Sequence, residues 1–299
     1  MAYLFGIVAA FFPPVFHGWA NVLDHYFTGK VFEQRAVLVF VSNIIGICLL
    51  PIVWLFGLPS LVSWSIAVLL LAIALTEFLY VFPYYWALQE ADTSVVAALF
   101  GLGKVTIPIM AFFFLGERLT VFQYVGFAVL VGSSVVLSAD FKSWRLSRSF
   151  YLMLGVSILL AVQAILIKYA FSFGITWSTL VTWMSLFELL IAALTMFSTK
   201  NRHALMSLFK ALDGKWNLFL QMEVVGWLGN MGSYYALAVI PVSVAKGIAS
   251  TQPAFPLLYA SLFSKKHPEL FREYLGRDGV VKKLLLFCSI AGGTLLITV

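Results

Sequence analysis

Charged side chains are scarce in this sequence. Only 11% of its 299 residues are Asp, Glu, Lys or Arg, whereas 62% are hydrophobic and the mean hydropathy is +0.98. Soluble domains carry about 25% charged residues, so this composition excludes an ordinary soluble enzyme or a soluble binding domain. The short segments of alternating polarity that build a transmembrane barrel are missing as well. The composition therefore predicts an all-α, multi-pass membrane protein.

Cysteine is also scarce, with Cys48 and Cys288 as its two occurrences. Both fall inside predicted membrane spans, so neither a disulfide framework nor a thiolate metal site is predicted. The sequence contains no cluster of metal ligands, no nucleophile with a base at a workable spacing and no phosphate-binding loop. We therefore predict no cofactor and no enzymatic activity. A membrane-embedded enzyme that uses His17 and Asp24 as an acid–base pair is the least favoured alternative.

Long apolar runs are abundant, and a bilayer core about 30 Å thick needs roughly 20 apolar residues per helix. The runs predict ten spans, at residues 3–23, 36–56, 63–88, 94–115, 119–138, 150–172, 177–198, 217–239, 242–264 and 284–299. The first span has no basic n-region and no A-x-A-like cleavage site, and it carries the polar residues His17, Asn21 and Asp24. We expect it to be a retained helix rather than a removed signal peptide.

Basic residues concentrate on alternate connections. Of 19 Lys and Arg, fifteen lie in the connections after spans one, five, seven and nine, whereas Arg118 alone lies in the other set. The remaining three, Lys104, Lys168 and Lys246, fall within spans. The positive-inside rule then predicts that the basic connections face the cytoplasm and that both termini face away from it. This placement explains the net charge of +6 through contact with anionic lipids rather than with nucleic acid.

The two halves of the chain repeat each other weakly. A shift of 149 residues superposes "ALQEADTSVVA" (87–97) on "ALAVIPVSVAK" (236–246), and it also lays Gly6 on Gly155 and Tyr85 on Tyr234. Each half holds five predicted spans, and an odd number means that the second half enters the membrane upside down. We predict two inverted five-helix repeats at 1–138 and 150–299, joined by a cytoplasmic linker at 139–149.

A set of residues in the first half resembles the EamA-type pattern of the drug/metabolite transporter superfamily. The resemblance lies in Ser94, a helix break at Lys104, then "GERLT" (116–120) and a helix with Gly126 and Gly132. "HGWANVLDHYF" (17–27) and "YYWAL" (84–88) are similar to the family's first and third helices. The resemblance implies a ten-helix carrier, similar to YddG-like exporters, with a central cavity lined by helices one, three, four, six, eight and nine.

Two features depart from that family. The family commonly has Pro at the mid-helix break of both repeats, and here Pro253 keeps it in the second half while Lys104 replaces it in the first. Family members also usually place their termini in the cytoplasm, opposite to the charge count above.

An ammonium at the bilayer centre costs about 3 kcal/mol on insertion scales. We therefore expect Lys104 to face a wet cavity or a counter-ion, with Glu77 as its partner, and to bind an anionic substrate group; a purely structural Lys–Glu pair is the alternative.

Further candidate residues lie on the helices that the resemblance assigns to the cavity. Aromatic rings there can stack a planar or cationic substrate, and polar residues near the second break can donate hydrogen bonds. The predicted substrate-binding residues are Lys104, Glu77, Trp19, Tyr85, Trp86, Trp227, Tyr234, Lys246 and Gln252. For Lys168 and Lys246 the alternative is that each side chain reaches the membrane interface, and for Glu188 a structural role is favoured.

These observations predict a secondary transporter of small polar or amphipathic metabolites, such as amino acids or nucleotide-like solutes, that works by alternating access. The predicted partners are a small-molecule substrate, membrane lipids and protons as the coupling ion, and we expect a monomer. A flippase for a lipid-linked polar group is the alternative on the same fold. The expected location is a bacterial inner membrane.

Overall fold

The computed structural model describes residues 1–32, 34–90, 106–138, 148–252 and 254–267, together with positions 93, 96, 99, 100, 270, 289, 292, 293 and 296. Every regular element in this part of the chain is helical. The α-helices are α1 Ala2–Ala10, α2 Gly18–Lys30, α3 Arg35–Trp54, α4 Trp64–Glu90, α5 Ile107–Leu115, α6 Val121–Ser138, α7 Arg148–Ser172, α8 Trp177–Leu194, α9 Thr199–Met206, α10 Leu208–Ala211, α11 Trp216–Val239, α12 Val242–Ala249 and α13 Ala254–Phe263. A π-helical turn, Pro13–His17, joins α1 to α2, and a 3-10 turn, Thr195–Phe197, follows α8.

Five helical stretches are long and apolar enough to cross a membrane. They are Ala2–Thr28, Arg35–Trp54, Trp64–Glu90, Arg148–Ser172 and Trp177–Phe197. These stretches match five of the ten predicted spans within a few residues. Helices α6 and α11 occupy two further predicted spans, and α5 occupies the second half of the predicted span 94–115, whereas most of the predicted span 284–299 lies outside the described residues.

Contacts between helix ends show which ends lie on the same face of the protein. On one face, Arg148 Nη1 lies 3.2 Å from Glu90 Oε1, and Arg35 Nη2 donates to Gln89 Oε1 at 2.5 Å. We call this the basic face. On the opposite face, Trp54 Nε1 donates to Thr182 Oγ1 at 3.0 Å. The described helices thus run alternately between the two faces, as the predicted spans require.

The first span is broken at its two prolines. Pro13 and Pro14 cannot donate a backbone N–H, and the chain widens there into the π-helical turn Pro13–His17. The carbonyl oxygen of Val15 in this turn accepts a hydrogen bond of 2.8 Å from Tyr259 Oη. Helix α13 therefore satisfies part of the backbone that the break leaves open, as an apolar environment demands.

The ninth predicted span is also discontinuous. Helix α12 ends at Ala249, residues 250–252 form a turn, and α13 begins at Ala254. Ser250 and Thr251 hydroxyl groups donate to the carbonyl oxygens of Gly247 and Ile248, at 2.5 and 2.9 Å. The predicted break at Pro253 thus coincides with this turn, although residue 253 itself lies outside the described residues.

Helices of the first half pack on helices of the second half. α4 contacts α7, α3 contacts α8, and α1 with the π-helical turn contacts α11. Small residues allow the last contact, because a Cβ added at Gly232 would lie 2.3 Å from Phe12 Cβ and 2.8 Å from the Ala9 carbonyl oxygen. Close approach at glycine is a common way for membrane helices to associate.

Candidate functional site

A cavity of about 300 Å³ lies between the two halves of the chain. Its wall takes residues from α2, α3 and α4 of the first half and from α7, α8, α11 and α12 of the second. The residues come from the middle of α7, α8 and α11, and from the part of α3 and α4 nearer the basic face. The cavity therefore lies at mid-depth of the helices, displaced toward the basic face.

Two packed apolar clusters enclose the cavity. One, on the opposite-face side, includes Leu50, Leu70, Ile167 and Leu180, and the other, on the basic-face side, includes Phe27, Leu38, Leu88 and Phe219. All eight side chains are 2% exposed or less. The cavity is thus a polar interval, that is, a region lined by polar groups, between two layers of buried apolar side chains.

Four carboxyl groups face this polar interval: Asp24, Glu77, Glu188 and Glu223. Tyr84 Oη donates to Asp24 Oδ2 at 2.9 Å, and Ser42 Oγ donates to Glu223 Oε1 at 2.7 Å. Glu77 receives two donors, Tyr80 Oη at 3.0 Å and Gln163 Nε2. A buried carboxylate needs such donors, because it has lost its hydration shell.

Lys246 is the lysine that the described wall contributes. Its Nζ donates to Ser233 Oγ at 3.1 Å, and its charge interacts with that of Glu77 at a separation beyond a direct ion pair. His17 Nε2 lies 3.2 Å from the carbonyl oxygen of Gly226. A carbonyl oxygen only accepts, so this ring nitrogen carries a hydrogen and donates it.

Six of the nine predicted site residues meet at this cavity. They are Glu77, Tyr85, Trp227, Tyr234, Lys246 and Gln252. Tyr85 and Tyr234, which the 149-residue shift superposes, are both 7% exposed. Lys104 lies outside the described residues, so its predicted pairing with Glu77 stays a prediction.

The two other predicted residues do not reach the cavity wall. Trp19 packs edge-on against Tyr259 and Phe263, with ring centroids 5.3 and 5.7 Å apart. Trp86 is 40% exposed, and the Arg35 guanidinium carbon lies 5.5 Å from the centre of its ring. Both residues lie on helices that contribute to the wall, but their side chains leave those helices on other sides.

Sequence reasoning gave too little weight to several wall residues. Glu188 was expected to be structural on a peripheral helix, yet it lies in the cavity wall. Asn21, Asp24 and Gln163 also face the cavity. Their signal was present, since each is a polar residue within a predicted apolar span. Lys168, for which contact with the membrane interface was left as an alternative, donates from Nζ to the carbonyl oxygens of Leu237 and Ile240, at 2.9 and 2.8 Å.

The segment between α11 and α12 is fixed from two sides. Lys168 binds the last carbonyl groups of α11, as a cation at a helix C-terminus does. Glu117 binds the start of α12: its carboxylate accepts from Val242 N at 2.8 Å, Ser243 N at 3.3 Å and Ser243 Oγ at 3.2 Å. Because Glu117 belongs to the first half of the chain, this contact joins the halves on the opposite face.

A polar cavity with ionisable side chains at mid-depth of long apolar helices is typical of membrane proteins that bind a solute. Residues 4–139 match the model of the EamA-like transporter family. Over this part of the chain the sequence is therefore similar to the EamA-like transporter family.

The comparison with solved structures supports the fold, and the comparison with curated protein sequences gives no match. One crystal structure of a protein is 15% identical to this chain, covers 99% of this chain and 95% of its own, and superposes with a TM-score of 0.64. At that identity the match speaks for the fold alone. No curated protein sequence matches the chain significantly. Among the described residues, no group of three or more His, Cys, Asp or Glu is placed to hold a metal ion.

Proposed function

We propose that this protein is a secondary transporter that carries a small polar or amphipathic metabolite by alternating access. The observation that supports the proposal most is the 300 Å³ cavity, which lies between two apolar layers and is lined by both halves of the chain. A solute bound there reaches either face only when one layer opens, and the contacts across that layer are contacts between the halves.

The proposal includes the inverted-repeat architecture: a first five-helix repeat at 1–138, a linker at 139–149 and a second repeat at 150–299. The EamA-like match covers nearly the same residues as the first of these repeats. It also includes the substrate contacts. Glu77, Tyr85, Trp227, Tyr234, Lys246 and Gln252 would meet the solute from the described wall, and Lys104 would join them from the fourth helix.

Protons are the proposed coupling ion. A carboxyl group in a dry cavity holds either a proton or a cationic partner, because an unpaired carboxylate is costly there. Solute binding that displaces the proton of a wall carboxyl group would couple the two movements. We further propose that the protein acts as a monomer in a bacterial inner membrane.

Counterflow in proteoliposomes tests this function. Purified protein is first screened by thermal shift against amino acids, nucleotides, S-adenosylmethionine and phosphorylated metabolites. A solute that raises the melting temperature is then loaded into the liposomes at high concentration. We expect saturable uptake of the labelled solute from outside. Scrambling of a labelled lipid without solute exchange would favour a flippase, and chemical conversion of the solute would favour an enzyme.

A further inference from the structure

Carboxyl groups outnumber ammonium groups in the wall of the cavity. The described wall has four carboxyl groups, Asp24, Glu77, Glu188 and Glu223, and Lys246 as its ammonium group. If Lys104 also faced the cavity, four carboxyl groups would still outnumber two ammonium groups. Net charge in a low-dielectric interval is costly unless a proton or another cation offsets it. The cavity therefore favours a positively charged guest.

Glu188 differs from the other three carboxyl groups. Asp24, Glu77 and Glu223 each accept at least one side-chain hydrogen bond. Glu188 has no hydrogen-bond partner among the described residues, and its Oε1 is shielded from solvent. It is also close enough to Glu77 for their charges to interact unfavourably. Buried acceptors are rarely left without a donor, so this oxygen points to a ligand that supplies one.

Two buried donors in the same wall also lack a partner among the described residues. They are Asn21 Nδ2, on a side chain that is 5% exposed, and Trp227 Nε1. Asn21 is held in place by Tyr84, whose Oη lies 2.9 Å from both Asn21 Oδ1 and Asp24 Oδ2 and shares its one hydrogen between them. A ligand that fits this wall therefore brings a donor for Glu188 and an acceptor for Asn21 or Trp227.

The volume of the cavity and its aromatic side chains restrict the class of ligand further. A volume of about 300 Å³ is at the lower end for small-molecule sites. Tyr85, Trp227 and Tyr234 line it with aromatic faces or edges, and such faces attract cations. Phosphorylated or otherwise anionic solutes would add like charge to the wall, which disfavours them.

We infer that the substrates are small organic cations: amines with an ammonium group for Glu188 and a carbonyl or hydroxyl oxygen for Asn21 or Trp227. This inference rests on the proposed transport function, whose solute class it narrows. It assigns to Glu188 a direct contact with the ammonium group, in place of the structural role expected from the sequence.

Four probes of similar shape and different charge test the inference. They are leucinamide (cation), leucine (zwitterion), 4-methylpentanamide (neutral) and 4-methylpentanoate (anion), titrated calorimetrically into purified protein at pH 7. We expect leucinamide to bind at least tenfold more tightly than leucine or the neutral amide, and the anion not to bind. A leucine or 4-methylpentanoate affinity equal to or above that of leucinamide, or no binding of leucinamide at millimolar concentration, would overturn the inference.

Two variants identify the contact. Glu188→Gln keeps the shape of the side chain and removes its charge, and we expect it to lower leucinamide affinity at least tenfold while leaving the neutral amide unchanged. Asp213→Asn is the control, because Asp213 is an exposed carboxyl group between α10 and α11, outside the cavity wall. Its binding should equal that of the wild type. Equal leucinamide affinity in Glu188→Gln and wild type would show that Glu188 is not the contact.

The transport assay separates this inference from the proposed function. If liposomes exchange a zwitterionic or anionic solute but not leucinamide, transport stands and the cation class is wrong. If they exchange none of the four probes nor any solute from the wider screen, the transport function itself fails.

Discussion

At the scale of single residues, the cavity holds Glu77 more firmly than Lys246. Glu77 is fixed by donors on two helices, Tyr80 on α4 and Gln163 on α7. Among the described residues, Lys246 makes a single hydrogen bond, to Ser233. A lysine ammonium has three donors on a flexible stem, so Lys246 can turn toward a solute without breaking the network around Glu77.

The hypothesis for Lys104 gives a residue-scale prediction. If Lys104 is the counter-charge of Glu77, Lys104→Met should insert and fold, melt at a lower temperature than the wild type and lose substrate binding. The double variant Lys104→Met with Glu77→Gln should regain the melting temperature, because no unpaired charge remains, but should not transport. Melting and ligand titration of purified protein check both. Lys210→Met, an exposed residue of α10, is the control.

An unchanged ligand affinity in Lys104→Met would contradict this hypothesis. Lys104 would then have a purely structural role or would lie away from the site.

Sequence could predict which residues are unusual, but not the direction in which each side chain points. Glu77 and Lys246 stood out as charges within apolar spans, and both reach the cavity. Trp19 and Trp86 stood out equally as aromatic residues on cavity helices, yet they face α13 and the exterior. The sequence of α4 is apolar nearly all round, so periodicity does not fix how that helix is rotated. Glu188 was undervalued because its helix was placed at the periphery by analogy.

At the scale of elements, the two broken helices meet. The π-helical turn of the first span lies against α13, where Tyr259 binds Val15 and a Cβ added at Gly18 would lie 2.5 Å from Phe255 Cβ. The turn at 250–252, which precedes α13, carries the cavity residue Gln252. Both breaks thus have hydrogen bonds from side chains to nearby backbone carbonyl groups. Pro253 predicted the second break, but not these partners.

Glycine packing gives an element-scale prediction. Gly232→Ala should destabilise the protein, because the new Cβ meets the backbone oxygen of Ala9 at 2.8 Å, which cannot move as a flexible side chain would. Overpacking of this kind costs about 1–3 kcal/mol. Gly155→Ala is the matched control in a helix, since nothing lies within 4 Å of its added Cβ.

We expect the melting temperature in detergent to fall by several degrees for Gly232→Ala and to stay within a degree or so for Gly155→Ala. Equal melting of the two variants would mean that α1 and α11 adjust freely to one another.

At the scale of the whole molecule, charge defines the membrane orientation that we expect. The basic face carries the exposed connection around residues 198–215, and the other face carries the connection around residues 55–63. In a variant with Cys48 and Cys288 replaced by Ser, we expect Ser63→Cys to react with an impermeant thiol reagent in intact cells. Ser207→Cys should react only after the membrane is opened. Labelling of Ser207→Cys from outside intact cells would reverse the orientation.

The contacts between the two halves of the chain differ in strength on the two faces of the protein. We call the contacts on one face the closure of that face. On the basic face, Arg148 and Glu90 form an ion pair with side chains that are 72% and 35% exposed, and such surface pairs contribute about 0–1 kcal/mol. On the opposite face, the partly buried Glu117 carboxylate accepts three hydrogen bonds at the start of α12. Hydrogen bonds to a charged group are worth about 1.5–3 kcal/mol each. The basic-face closure is therefore the easier one to open.

This asymmetry predicts from which side the cavity is reached. Ser185→Cys places a small thiol in the wall, where the described structure gives Ser185 no hydrogen bond to lose. In the cysteine-free background, this thiol should react faster with an impermeant reagent applied to the basic face than to the opposite face. Adding Glu117→Ala removes the contact between the halves and should raise its reactivity from the opposite face. Arg118→Ala, on the next residue, serves as the control and should not.

Alternating access requires that the two closures do not open together. We therefore expect no ohmic single-channel current from the wild type in a planar bilayer, and in Glu117→Ala we expect access from the opposite face to rise as access from the basic face falls. That reciprocal change follows because the halves move against each other around one cavity. An ohmic current in the wild type, or equal thiol reactivity from both faces, would describe a pore. Unchanged reactivity in Glu117→Ala would show that Glu117 does not hold the opposite face closed.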